Sequence, residues 1–182
     1  MEGKKNIVFG FVYLIATAAL GLVMVNLSAQ VGNAAEAKQE KLSNMQQGLQ
    51  MGFDMMPEKE PVPTMGEAVM ALNTYINAQE PIDGIKGGPH AHGNLESVLN
   101  IIVGTLLMFL AIPAILKQVI SWLFILATLL HSGMLYLSNP NILGWSWAGT
   151  VLDTGIGPIA LLVGFGLMAI AVFIGLKPQR QA

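Results

Sequence analysis

Four apolar runs, separated by polar stretches, set the pattern of this chain. NIVFGFVYLIATAALGLVMVNL occupies residues 6–27, and a second run extends from about Ser97 to Leu116. VISWLFILATLLHSGMLYLS fills 119–138, and a fourth run extends from about Gly155 to Leu176. A helix that crosses a bilayer needs about 20 predominantly apolar residues. The pattern therefore predicts an all-α protein: an integral membrane four-helix bundle, with a partly helical extracytoplasmic insertion between helices 1 and 2. The first run is longer than the 7–15-residue core of a secretory signal, so it reads as a permanent anchor.

The insertion carries its own periodicity. TMGEAVMALNTYINAQ, residues 64–79, opens with Thr64 and Glu67 at capping-box spacing. Val69, Met70, Leu72 and Ile76 then recur at helical intervals. AAEAKQEKLSNMQQGLQMGF, residues 34–53, also reads as a helix, and EKEPVPT between the two is a proline-rich break. EPIDGIKGGP, residues 80–89, reads as a Gly/Pro connector into the second span. Three parts result: an anchor helix over 1–27, a Met-rich extracytoplasmic helical segment over 28–93, and a three-helix transmembrane region over 94–182.

Composition strengthens the membrane reading. The chain is 53% hydrophobic and only 11% charged, with a mean hydropathy of +0.59, whereas soluble domains carry about a quarter charged residues. A net charge of −2 gives no footing for nucleic acid. With no cysteine present, disulfides, thiolate metal sites, iron–sulfur clusters and cysteine nucleophiles are excluded. Lys4, Lys5, Lys117, Lys177 and Arg180 fall on one side of a four-span topology, with Glu2 as the only acid there. Lys38, Lys41, Lys59 and Lys86 share the other side with the remaining carboxylates. The positive-inside rule then puts both termini in the cytoplasm of a multi-pass inner-membrane protein.

Candidate chemistry gathers in GGPHAHGNLESVLNIIVG, residues 87–104. The rings of an HxH pair point in different directions, so at most one of His90 and His92 faces a given ligand. His92, Glu96 and Asn100 share a helical face, and polar residues on membrane helices tend to face the bundle interior. The bland alternative is that both histidines are solvated at the interface. His131 lies within the third run, where it either hydrogen-bonds a neighbouring helix, binds a ligand or relays a proton. If the turn between spans two and three centres on Lys117 and Gln118, His131 is level with Gly104 or Thr105. His92 is then about 18 Å further out, too far to share one iron. Asp153 shares a depth with His92 and Glu96. His90, His92, Glu96 and Asp153 could together hold zinc or copper through nitrogen and oxygen.

Met45, Met51, Met55, Met56, Met65 and Met70 read as a packing or docking surface rather than a Cu(I) site. Trp145 and Trp147 suit an aromatic belt. Ala160 and Gly164 have the spacing of close helix contact.

HAHGNLESVLNIIVG resembles the HAHxN helix start of small membrane proteins related to the haem-bearing subunit of haem–copper oxidases. Residues 90–176 also resemble styrene-oxide-isomerase-like proteins, four-helix membrane proteins that hold haem b. The matching features are His92, Leu99 with Asn100, Tyr136 with Ser138 and Asn139, and the Gly155–Gly166 stretch. The resemblance implies haem b with His92 as axial ligand. His131 or His90 could supply a second ligand, with Asn100 and Tyr136 tuning the iron by hydrogen bonds. The expected function is a redox or electron-transfer subunit in the lipid bilayer. It would work beside other membrane or periplasmic subunits, or as a homo-oligomer. The alternatives are a haem-dependent isomerase of an apolar epoxide-like substrate and a cofactor-free accessory subunit.

Overall fold

The computed structural model describes residues 3–52 and 61–176, and among these the chain is helical with no strand. Helix α1 spans Lys4–Ala18, α2 Leu20–Gly52 and α3 Pro61–Ile85. A π-helical turn, Lys86–His90, leads into α4, Ala91–Phe109. Helix α5 covers Ala114–Thr128, and a second π-helical turn, Leu129–Gly133, joins it to α6, Met134–Ser138. Helix α7 is Ser146–Asp153 and α8 is Ile156–Gly175. Three helical stretches are long and apolar enough to cross a membrane: Lys4–Gln50, Ala114–Ser138 and Ile156–Gly175. The second expected span is a helix of 19 residues, but His92, Asn94, Glu96 and Asn100 dilute its hydropathy and it is not among the three.

The chain divides into two compact units, Met1–Gly21 with Ile85–Ala182, and Leu22–Gly84. This differs from boundaries at 27 and 93. Residues 85–93 join the first unit because Ile85 and Pro89 are buried, His90 bonds the Thr17 carbonyl, and Gly93 packs on Thr17.

In the second unit, Lys41 Nζ pairs with Glu67 Oε2 at 3.1 Å, and Lys38 Nζ sits 3.9 Å from the Tyr75 ring centre. Ala34 and Ala68 are buried. Both expected helices are present and longer than their patterns. Helix α3 begins at Pro61, a residue that costs nothing in a first turn because those N–H groups have no helical acceptor. Thr64 is therefore inside the helix rather than capping it. The expected Gly/Pro connector is also largely helical, continuing through Pro81 to a kink at Gly88 (φ −92°, ψ −108°). Met65 and Met70 are exposed. Met55 and Met56 lie outside the described residues.

In the first unit α1 runs antiparallel to α4 at close range. A Cβ on Gly10 would stand 2.6 Å from the Ser97 carbonyl oxygen, and one on Gly104 would stand 2.6 Å from that of Gly3. Helices α5 and α8 meet through Phe124 over Gly164, with Phe165 edge-on to Phe124. An apolar core of Val103, Leu107, Leu110, Ile120, Phe124, Met168 and Ala171 joins α4, α5 and α8. The outer faces are also apolar: Phe11, Val12, Ile15, Leu162 and Phe173 are all exposed. The polar residues Asn6, Thr17, Glu96, Ser97, Asn100, Ser121, Thr128 and Ser132 are buried.

The α4–α5 turn does not fall at Lys117 and Gln118. Helix α4 stops at Phe109, and Leu110 and Pro113 take extended backbone angles before α5 begins at Ala114. Proline has no N–H to donate and drives the residue before it out of the helical region, so Pro113 sets the break. A turn centred between Ala111 and Ile112 brings His131 level with His92.

The α1–α4 contact predicts opposite signs for two glycine replacements. Gly10→Ala should cost about 1–3 kcal/mol through overpacking. Gly21→Ala, which meets open space, should be neutral or gain up to about 1 kcal/mol from helix propensity. Thermal midpoints of the purified protein in detergent check the pair, with a drop of several degrees expected only for Gly10→Ala.

Candidate metal centre

Helix α4 puts His92 and Glu96 one turn apart on one face, and the π-helical turn after α5 delivers His131 and Ser132 to the same level. A π-helical turn accommodates one extra residue in a helix and so re-aims the side chains that follow. Helix α8 backs this turn closely: a Cβ on Gly157 would stand 2.7 Å from the His131 nitrogen and the Leu130 oxygen.

The Glu96 carboxylate is 2% exposed. A buried carboxylate is tolerated only when its oxygens are satisfied. His131 Nδ1 lies 2.5 Å from Oε1, and Ser132 Oγ donates to Oε2 at 2.6 Å. When Glu96 is a carboxylate it can only accept, and His131 Nδ1–H is then the donor of the first contact. The contact is an ion pair whenever the imidazole is doubly protonated. Since Ser132 spends its one proton on Glu96, the Tyr13 hydroxyl donates to Ser132 Oγ, at 3.1 Å. The His92 ring stands edge-on to His131 with centroids 4.9 Å apart. One ligand atom from each of His92, Glu96 and His131 falls within 4.8 Å of the others. That donor set, two imidazoles and a carboxylate, suits a first-row transition metal ion.

The other expected residues separate. His90 turns away: its Nδ1 contacts the Thr17 carbonyl oxygen at 3.0 Å, and Asn94 lies 3.4 Å from its Nε2. The HxH pair does split as its geometry predicts. Asn100 is fully buried one turn beyond Glu96, donating to the Glu96 carbonyl and, at 2.9 Å, to Thr128 Oγ1. Its own oxygen accepts from Asn6 at 2.9 Å, and Asn6 is held by Ser121. Asn100 therefore clamps α1, α4 and α5 rather than facing the centre. Tyr136 is half-buried in α6 and makes no hydrogen bond to the cluster among the described residues. Asp153 is exposed at the end of α7. The zinc or copper grouping with His90 and Asp153 is thus replaced by His92, Glu96 and His131. Trp145 and Trp147 are exposed and stack on each other, 5.8 Å apart.

Sequence reasoning passed over Ser132, which bonds Glu96, Tyr13, which bonds Ser132, and Thr128, which accepts from Asn100. A hydroxyl within an apolar run carries no signal of its own until its partner's depth is known.

The rings of His92 and His131 meet directly, edge to face, while His90 is held away from them by the Thr17 carbonyl.

Compared with protein-family models, curated proteins and solved structures, the chain matches none. Its class is defined by its own features: an all-helical chain with three helices able to cross a membrane. It also has a His/Glu group with metal-ligand spacing.

Gly157→Val should push the π-helical turn away from α8 and move His131 off Glu96. Displacing a ligand should cost at least the roughly 10- to 100-fold in metal affinity that loss of a supporting outer residue costs. Isothermal titration with Co(II) or Zn(II) checks this, with Gly166→Val, which meets open space, as the control of unchanged affinity.

Proposed function

We propose that this chain is an integral membrane protein that carries one transition-metal ion on His92, Glu96 and His131 and serves as a redox subunit. The observation that carries the reading is the 4.8 Å convergence of three ligand atoms from two helices. The membrane part is supported by the inverted burial pattern, with polar side chains inside and large apolar ones outside. Hydrocarbon tolerates apolar surface but not unpaired polar groups, and no buried side-chain polar atom among the described residues lacks a partner. With α4 as the fourth crossing helix, the lysine distribution puts both termini in the cytoplasm of the inner membrane.

Two histidines and one carboxylate with open positions are the ligands of non-haem Fe(II). To hold the ion, Glu96 and the two imidazoles would each present a lone pair to it. Ser132 holds the far carboxylate oxygen, Tyr13 holds Ser132 in turn, and together they orient Glu96. His92, exposed at the start of α4, supplies the accessible edge through which an electron partner, a membrane or periplasmic subunit, would approach.

A second reading keeps haem b. His92 has no hydrogen-bonded partner among the described residues and is open to one side, which suits a single axial ligand. His131 then acts as its hydrogen-bonded neighbour, held by Glu96.

Metal analysis and an absorption spectrum of detergent-purified protein distinguish the readings. On the leading one, iron is present at about one atom per chain. It falls to background in His92→Ala, Glu96→Ala and His131→Ala, and no intense Soret band is seen. A Soret band abolished by His92→Ala but retained in Glu96→Ala establishes the haem reading. Correctly folded protein that is colourless and takes up no metal rejects both.

A further inference from the structure

We infer that the end of the first unit opposite His92 holds a binding site for an anionic phospholipid, a site that rests on the membrane reading above. A surface groove along α1 is lined by Lys4, Lys5, Val8, Phe9 and Val12. Its composition changes along its length: two ammonium groups at one end, then only apolar side chains toward the helix middle. That sequence of chemistries matches a phospholipid, with its phosphate at the lysines and its acyl chains along Val8, Phe9 and Val12.

The basic head of the groove is held in place. Lys5 Nζ donates to Gln118 Oε1 at 2.5 Å and sits 4.2 Å from the ring centre of Trp122. Trp122 is itself 52% exposed, and amphipathic indoles favour the headgroup level. A lysine tethered to α5 in this way cannot swing away into water, so part of the entropy of ordering it for a phosphate is already spent. Lys4 is exposed beside it. Charge selects the lipid class. The acidic residues among the described part of this unit are Glu96 and Asp153. Glu96 is engaged at the far end of α4, and Asp153 ends α7. Among the described residues no carboxylate offsets the two ammoniums, and against Glu2 the sequence on this side sets Lys4, Lys5 and Lys117. A zwitterionic headgroup brings a competing choline or ethanolamine cation, whereas phosphatidylglycerol brings a net negative charge.

Trp122 is also the reporter. The chain has three tryptophans, so Trp145→Phe with Trp147→Phe leaves Trp122 alone. Reconstituted in phosphatidylcholine vesicles, this full-length variant is titrated with phosphatidylglycerol or phosphatidylcholine brominated in the acyl chains. Brominated chains quench only an adjacent indole. The expected result is preferential quenching by the anionic lipid, roughly fivefold in relative association for each lysine. Lys4→Gln with Lys5→Gln should abolish the preference, and raised salt should reduce it. Should loss of the Gln118 contact prevent folding, Lys4→Gln alone should halve the preference or more while leaving Lys5 tethered. Equal quenching by the two lipids, or a preference untouched by the lysine variants, overturns the site. Quenching by neither lipid rejects instead the membrane reading on which it rests.

Discussion

The structure of the first unit depends on one buried carboxylate. An ionised Glu96 placed among apolar helices would cost several kcal/mol if left unpaired. It can stay because two oxygen acceptors meet two donors from one stretch of a neighbouring helix, His131 and Ser132. Those donors are consecutive residues, and consecutive residues on an ordinary α-helix point about 100° apart. The π-helical turn at Leu129–Gly133 is the local departure that brings both to a single carboxylate. It is held from behind by α8, which approaches only because residue 157 has no side chain. The glycine, the turn and the glutamate are thus one device seen from three helices.

The same logic extends along the helices. Lipid offers no hydrophobic reward for bringing apolar helices together, so association there relies on close packing and on hydrogen bonds between helices. Glycines at 3, 10, 93 and 104 let α1 approach α4. Asn6, Asn100, Ser121 and Thr128 then link α1, α4 and α5 with every side-chain amide engaged. The apolar core of Phe124, Leu107 and Ile120 lies alongside this polar seam, and packing shape rather than apolarity makes it specific.

Much of this was legible in the sequence. The apolar runs are helical, except that the second breaks at residues 110–113, and the interval from His92 to Glu96 to Asn100 placed all three on one face of α4. The depth of His131 was not, and the cause is specific. Lys117 and Gln118 are the most polar residues between the two runs, so they attracted the turn. The chain turns earlier, at Pro113, because a missing N–H and a restricted neighbour break a helix whatever the local polarity. Polarity tells where a chain tolerates water; proline tells where it cannot continue a helix. Weighing the first above the second displaced His131 by several turns and hid its pairing with Glu96. Ser132 and Tyr13 followed from that, since neither has meaning until the register is known. Thr64 shows the converse: a capping-box spacing is only local, and a helix that starts earlier at Pro61 absorbs it.

What separates a binding centre from mere internal stapling is the unequal state of the three candidate ligands. Glu96 and His131 are satisfied by each other and by Ser132, and such a pair could exist for packing alone. His92 gains nothing of that kind: among the described residues its only contact of note is the edge of the His131 ring. An exposed imidazole at the mouth of an apolar helix, aimed at a carboxylate–histidine pair, is poor packing and a weak anchor. On the proposed function, the space between the two rings and the carboxylate is where His92, Glu96 and His131 would hold a metal ion. The pair then supplies orientation and negative charge, and His92 supplies the open side.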